Sequence, residues 1–180
     1  MKIWTRGINT YFVALLAGSI LLAGCQTDKQ EKEEKKKKEK EATTLGMHIE
    51  VNADGSARNA QITLLRASPI TLNVENTPFL THADVIRADI VEELGTLGIR
   101  LQFTQPHGAR LLSWATGVYK GKRIAIHAEW GEARWLAAPQ ILQHLEDGVF
   151  TFTPDASREE IERIVRGLNN VAKEVKKLEK

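Results

Sequence analysis

Histidines and carboxylates are the side chains of this sequence best suited to acid–base or metal chemistry. The histidines are His48, His82, His107, His127 and His144. Their spacing contains no HxH, HxxxH or HExxH pattern that would place two of them on one surface. Glu129 and Glu132 flank a turn, and carboxylates at such tips are common whether or not they act as acids or bases. No nucleophile motif or phosphate-binding loop occurs. We therefore expect no catalytic residues, no metal ligands and no cofactor.

Three tryptophans, Trp114, Trp130 and Trp135, are the better candidates for a functional surface. If the strands around Gly131 pair, Trp130 and Trp135 either approach each other or expose an aromatic patch, and exposed tryptophan favours protein binding. The alternative is that the tryptophans fill the core. With Leu178, which lies on the apolar stripe of the last predicted helix, Trp130 and Trp135 form our set of candidate partner-binding residues.

Residues 1–24 have the composition of a targeting segment. Two cations, Lys2 and Arg6, precede an uncharged, mostly apolar run from 11 to 24. That run is too short to cross a hydrocarbon core, which needs roughly 20 residues. The alternatives to a lipoprotein signal peptide are an ordinary secretory signal, which is not lipidated, and a helix of the protein core.

The end of this segment, Leu22-Ala23-Gly24-Cys25, resembles the lipobox of bacterial lipoproteins. The resemblance implies that Leu22, Ala23 and Gly24 are recognised by a signal peptidase and that Cys25 carries the lipid. Two or more acyl chains give stable membrane anchoring. Because Gln26 is not aspartate, sorting by resemblance favours the outer membrane over the inner one. We expect a lipid-anchored, periplasm-facing envelope protein without an internal disulfide, since Cys25 is the only cysteine.

Residues 25–44 are predicted to be the lipidated cysteine and a flexible charged tether. Residues 26–42 hold seven lysines and six acidic residues and nothing apolar enough to be buried in a core. Without the leader and this tether, the remaining chain has sixteen basic and seventeen acidic residues. Because nucleic-acid-binding domains usually show a basic excess, we expect no nucleic-acid partner.

Residues 45–180 are long enough for one domain with one core. Alternating apolar and polar residues predict the strands. These are Met47–Val51, Gln61–Arg66, Ile70–Val74, Ile99–Thr104, Arg123–Trp130, Arg134–Ala138 and Val149–Thr153.

Two helices are predicted in this domain. The first covers Pro106–Gly117, with proline in the first turn and glycine at the end. The second closes the chain and carries an apolar stripe at spacings of three and four that continues to Leu178. Its start is left open between a Ser157/Glu160 capping box and Thr153-Pro154.

The order of motifs between Leu80 and Leu168 resembles the periplasmic domain of SecD, a protein-export membrane subunit that works beside the bacterial Sec translocon. The matching motifs are Gly108-Ala109 with Leu111-Leu112 and Thr116, then Gly121-Lys122, Ala137-Ala138-Pro139, Gly148, and Phe152-Thr153 before Glu159-Glu160. The resemblance implies an α+β fold with an antiparallel sheet and two main helices on one face. It also favours a strand over a helix for Ala88–Leu94, with a turn into Ile99–Thr104.

Three functions remain open from the sequence. The resemblance implies a non-catalytic module that assists protein export and contacts Sec translocon subunits or secreted polypeptides. An envelope structural or interaction lipoprotein with an unrelated protein partner is the second, with the last helix as its contact. A metal-dependent enzyme is the third, and stoichiometric metal in the purified protein would support it.

Overall fold

A computed structural model describes residues 35–38 and 40–178 of the chain. Residues 35–38 are helical and belong to one compact unit, while residues 40–180 form the other. The predicted signal peptide, with Leu22, Ala23, Gly24 and Cys25, lies outside the described residues. Its cleavage and lipidation therefore stay predictions. Among the described helices, none combines the length and the hydropathy that a bilayer-spanning segment requires.

Within residues 40–178 the chain forms nine strands, two α-helices and one short 3-10 helix. The strands are β1 (Thr44–Ile49), β2 (Asn59–Leu64), β3 (Ile70–Glu75), β4 (Leu80–Thr81), β5 (Val85–Glu93), β6 (Thr96–Phe103), β7 (Ile124–Glu129), β8 (Ala133–Ala137) and β9 (Val149–Phe152). The helices are α1 (His107–Val118) and α2 (Arg158–Leu178), and the 3-10 helix is His82–Asp84. Every strand pair is antiparallel, which confirms the predicted α+β class. The strands form three sheets where the sequence predicted one.

The largest sheet has the strand order β4-β1-β7-β8. One face of it, which we call the inner face, is aliphatic because side chains alternate along each strand. Met47, Ile124, Ile126 and Leu136 on this face are all 0% exposed. They belong to the main core, to which α1, α2 and the strands β5, β6 and β9 also contribute buried side chains.

The opposite, outer face of this sheet is covered by the β2–β3 hairpin. Ile62, Leu64 and Val74 of the hairpin form a second apolar cluster with Ala125 and Ala138 of the sheet. The hairpin buries Ala125 on the outer face of β7, while Ile124 and Ile126 are buried on its inner face. In the N-terminal third of the domain, which the SecD resemblance did not reach, β1 is therefore an inner strand of the sheet and the β2–β3 hairpin is its cover.

The third sheet has the order β5-β6-β9. Ala88–Leu94, left open between helix and strand by its own sequence, lies mostly in β5, as the resemblance favoured. The hairpin turn is Leu94-Gly95, and both residues have positive φ, 50° and 78°. Such a two-residue turn matches the twist of the strands it joins. The side-chain amide of Asn169 in α2 bonds to both Ala88 N and Ala88 O, which covers part of the outer edge of β5.

The start of α2 is decided by the Ser157/Glu160 capping box. Ser157 N donates to a Glu160 carboxylate oxygen at 2.6 Å, and Glu160 N donates to Ser157 Oγ at 3.2 Å. Pro154 is buried in the loop before the helix. The first helix, α1, begins one residue after Pro106 and ends at Val118, close to the predicted Pro106–Gly117.

The predicted C-terminal boundary of the tether, at residue 44, lies inside the folded domain. Thr43 is 1% exposed, and it contacts α2 where Gly167 leaves room for it. The Glu41 carboxylate accepts a hydrogen bond from Arg166 at 2.7 Å, and the Glu41 carbonyl accepts one from Asn170 at 2.9 Å. Residues 41–44 are therefore part of the folded unit. The composition of the segment hid this, because its contacts are polar and come from the other end of the chain.

Candidate functional site

The structure places the three candidate partner-binding residues in three different environments. Trp130 is only 5% exposed and belongs to the main core. The Arg134 guanidinium lies over its ring at 5.1 Å, and Arg163 donates to its backbone carbonyl. These contacts correct the prediction for Trp130, which faces inward because the residues before it alternate into the core. Its ring therefore offers almost no surface to a partner.

Trp135 is partly buried and packs between two histidines. The rings of His48 on β1 and His127 on β7 meet the Trp135 ring edge-on, each with a centroid distance of 5.1 Å. His48 Nδ1 is 2.7 Å from the Glu75 carbonyl at the end of β3. The histidine–tryptophan cluster, formed by His48, His127 and Trp135, thus links the sheet to the hairpin that covers it.

The environment of these two histidines disfavours their charged form. Burial lowers the pKa of His48, and the hydrogen bond to the Glu75 carbonyl opposes that change. Burial and the neighbouring His48 lower the pKa of His127, while Glu129 acts in the opposite direction. Sequence spacing gave no sign of this pairing, because it depends on the register in which Gly46 lies opposite His127.

Leu178 ends the last described turn of α2 and is 88% exposed. The helix continues past Leu168, its last buried residue, while Val171 and Val175 are partly buried. Leu178 is therefore accessible to a partner, unlike Trp130. Trp114 on α1 is also half exposed and packs edge-on against Tyr119 at 5.4 Å.

A groove that the sequence did not reveal lies beside β9. Its volume is about 780 Å³, within the size range of ligand sites in proteins. One wall is β9 and the other is the connection that follows β8. The lining residues are Arg100, Thr116, Pro139, Gln140, Ile141, Leu142, Gln143, Leu145, Asp147, Val149, Phe150 and Thr151. We call this the β9 groove.

Hydrogen bonds hold the second wall of the β9 groove in place. Ile141 N donates to the Lys122 carbonyl at 2.8 Å, and Leu145 N donates to Thr116 Oγ1 at 3.0 Å. Ser113 Oγ lies 2.7 Å from His144 Nε2, so α1 is joined to this wall a second time. The wall is therefore fixed at both ends, while Leu142 between them is 72% exposed.

The β9 strand presents backbone groups to the groove. Phe103 N donates to the Gly148 carbonyl, and Phe150 and Phe152 lie opposite Leu101 and Ile99 of β6. Polar groups alternate in direction along an antiparallel strand, so those of Thr151 point away from β6. The backbone polar groups of Val149 also point away from β6, and the Val149 N–H donates a hydrogen bond to the Asp147 carboxylate at 3.0 Å. The strand edge at Thr151 can therefore accept another extended chain.

Ser113, His144 and Glu146 have the order of a nucleophile, a base and an orienting carboxylate. His144 Nδ1 is 3.4 Å from a Glu146 carboxylate oxygen, but the Glu146 side chain is 80% exposed. Ser113 lies in the middle of α1, where backbone N–H groups are used by the helix. Acyl transfer depends on such donors to stabilise the oxyanion. The arrangement is best explained as an attachment of the groove wall to α1.

The described histidines and carboxylates do not gather into a metal site. In residues 35–38 and 40–178, no group of three or more His, Cys, Asp or Glu side chains could hold a metal ion. His107 instead lies 3.7 Å from Asp84, and His48 and His127 share Trp135.

Comparison with known proteins gives a clear result for the fold. No family model and no curated protein matches the chain. Among solved structures, one of SecDF, described as a membrane component that enhances protein export, superimposes with a TM-score of 0.55. The domain has a SecDF-like fold. The two chains are 24% identical, and the match covers 78% of this chain and 68% of the other.

A second SecDF structure, in a form called super-membrane-facing, matches with a TM-score of 0.51 and 25% identity. That match covers 72% of this chain but only 19% of the SecDF chain. The likeness thus concerns one region of the longer SecDF chain, and most of that chain has no counterpart in this match.

Proposed function

We propose that this chain is a membrane-anchored lipoprotein whose SecDF-like domain binds extended polypeptide segments and assists protein export. The observation that carries the proposal is the β9 groove, where the open strand edge at Thr151 lies beside the exposed Leu142. An extended peptide that adds to a sheet edge gains main-chain hydrogen bonds that do not depend on its sequence. Such binding suits a protein that meets many different secreted chains.

The composition of the groove agrees with an unfolded polypeptide as ligand. Leu142 and Leu145 supply accessible aliphatic surface for apolar side chains, while Arg100 and Asp147 are the two charged residues of the groove. Their opposite charges give the groove no strong preference for the net charge of a peptide. The function proposed is binding without catalysis, and the likeness to SecDF, a component that enhances protein export, supports the link to export.

The test is photo-crosslinking in cells from Leu142 and Thr151, with a matched site at Ile86. Ile86 is also an exposed apolar residue, 47% accessible, but it lies on β5, at the opposite edge of the same sheet. We expect Leu142 and Thr151 to capture secreted polypeptides or Sec subunits, and Ile86 to capture neither. Equal capture from all three sites would contradict a binding site in the groove.

A pair of variants separates strand addition from contact with a side chain. Thr151→Pro removes an N–H that points away from β6, so the β6–β9 ladder is kept while the groove loses a donor. Thr151→Val removes the hydroxyl and keeps the N–H. We expect capture from Leu142 to fall in Thr151→Pro and to persist in Thr151→Val.

The exposed Leu178 favours the second candidate function, an interaction lipoprotein with an unrelated envelope partner. Crosslinking from Leu178 tests it in the same experiment. Capture of one envelope protein from Leu178, with no Sec subunit or secreted chain from the β9 groove, would favour this candidate and overturn the export proposal.

A further inference from the structure

The tether joins the domain on the polar face of α2. Arg166 and Asn170 of α2 hold Glu41 through its carboxylate and its carbonyl, as described above. A second arginine, Arg163, lies 3.7 Å from the other Glu41 oxygen. The chain therefore enters the folded unit across the outward side of this helix.

Exposed lysines continue the same side of α2 toward its C-terminal end. Residues three or four apart lie on one face of a helix, so Arg166, Asn170, Lys173 and Lys177 form one row. Lys173 and Lys177 are exposed, and Lys176 adjoins them. The apolar stripe of α2 lies on the opposite side, where Ile164 and Leu168 are buried. Because Glu41 balances the charge of Arg166, the positive charge of this row comes from Lys173 and Lys177, which we call the basic face.

We propose that the basic face of α2 docks the domain on an anionic lipid surface. This inference rests on the proposed function, in which Cys25 carries the lipid. Fifteen residues separate Cys25 from Glu41, which is about 50 Å when fully extended. The bilayer is thus always within reach of the side of the domain where the tether enters, and cationic side chains there meet negatively charged headgroups.

This docking gives the domain a defined orientation. Because α2 contacts the membrane through its polar face, its apolar stripe stays in the core and the fold does not change. The β9 groove is built by β9, α1 and the connection between β8 and β9, none of which forms the basic face. Docking through the basic face therefore uses no residue of the groove, and we expect the groove to stay accessible to polypeptides while the domain lies on the lipid.

The experiment uses the mature lipidated chain in vesicles of phosphatidylcholine, with or without phosphatidylglycerol. A lipidated Cys25 leaves no thiol, so the cysteine of Leu178→Cys, at an exposed site beside Lys177, is labelled alone with a fluorophore while both lysines are kept. Lys120→Cys, at an exposed site just after α1, is the matched control. We expect headgroup-labelled lipid to quench the fluorophore at position 178 and not at position 120, only in the anionic vesicles, and we expect high salt to abolish this quenching. Similar quenching at both positions, or in both kinds of vesicle, would overturn the proposal.

A charge variant tests the same surface independently. Lys173→Gln/Lys177→Gln is compared with Arg110→Gln/Lys120→Gln, which removes the same charge elsewhere on exposed positions. Each basic residue near an anionic membrane contributes about fivefold to binding, so the first variant should bind about 30-fold more weakly than the second. Lysines that serve only to stabilise the helix end would give two variants that bind alike, and that result would refute the inference.

Failure of the lipoprotein proposal is distinguishable from failure of this one. Mass spectrometry of the purified chain shows whether Cys25 carries a lipid. If it does not, the anchoring part of the proposed function fails. Co-sedimentation of the two charge variants with the anionic vesicles then tests, independently of the lipid anchor, whether the basic face binds the membrane.

Discussion

The two faces of the four-stranded sheet are built from the same strands but differ in chemistry. The inner face carries Met47, Ile126 and Leu136 without any exposure to water. The outer face carries the histidine–tryptophan cluster beneath a hairpin that leaves it partly exposed. The inner face belongs to the main core, while the outer face meets its cover through a smaller apolar cluster and the partly exposed histidine–tryptophan cluster. We therefore expect the inner face to supply more of the stability.

The largest effect is expected when the inner face is broken. Ile126→Ala removes a fully buried side chain from the centre of the sheet. It should lower the free energy of unfolding by about 2–5 kcal/mol, since the lost contacts leave a cavity. Urea denaturation followed by circular dichroism measures this. Ile86→Ala, at a half-exposed position, is the control and should cost much less.

An intermediate effect is expected on the outer face. Trp135→Ala removes the ring between His48 and His127 and part of the cover of Ala125. Because the ring is only partly buried, we expect a loss of about 2 kcal/mol, less than for Ile126→Ala. Hydrogen exchange should show faster exchange in β2 and β3 and little change in β7. If Trp135→Ala lowered the free energy of unfolding as much as Ile126→Ala, the inner face would not be the larger source of stability.

A smaller effect is expected from the ion pairs that fasten the hairpin. Arg66 lies 3.5 Å from carboxylate oxygens of Asp155 and Glu160 near the start of α2, and its side chain is 55% exposed. Such exposed pairs contribute little, so Arg66→Ala should cost about 0.5 kcal/mol or less. The bond from Arg66 N to the Asp155 carboxylate is kept in the variant. A loss as large as that of Trp135→Ala would mean that charges, and not the apolar cluster, hold the hairpin.

The smallest effect is expected from pH and it acts only on the outer face. The pKa values of His48 and His127 are lowered by burial, so the unfolded chain binds protons more readily than the folded one. Their contribution to stability is therefore complete above the ordinary histidine pKa of about 6.5 and is lost as the pH falls from that value through the lower pKa values of the folded state. The double variant His48→Gln/His127→Gln should show a flatter dependence between pH 7 and 5, measured by urea denaturation. An unchanged slope in this variant would show that other groups are responsible.

Much of the fold follows from short patterns in the sequence. Alternation predicted β6, β7 and the two strands of the outer hairpin, and a Ser157/Glu160 pair offered the start of α2 that the structure adopts. These elements are decided by neighbours along the chain. The choice of a strand for Ala88–Leu94 needed the SecD resemblance, because its apolar residues fit either a helix or a strand.

The candidate sites were much less predictable. Trp130 and Trp135 are five positions apart and have similar sequence surroundings, yet one is buried and the other is shared by two histidines. The β9 groove has no motif of its own, since its walls come from α1, β9 and an irregular connection. Glu41 was assigned to the tether because its partners, Arg166 and Asn170, lie at the other end of the chain.

The sequence by itself determined the α+β class, most of the strands and both helices, because apolar periodicity and capping residues act over a few neighbouring positions. It also set the leader and lipobox pattern, which stays a prediction. Only the tertiary structure decided which tryptophan is buried, which histidines meet and where a groove opens. These outcomes depend on strand register and on contacts between segments that are distant in the sequence. A pattern of neighbouring residues cannot predict such contacts.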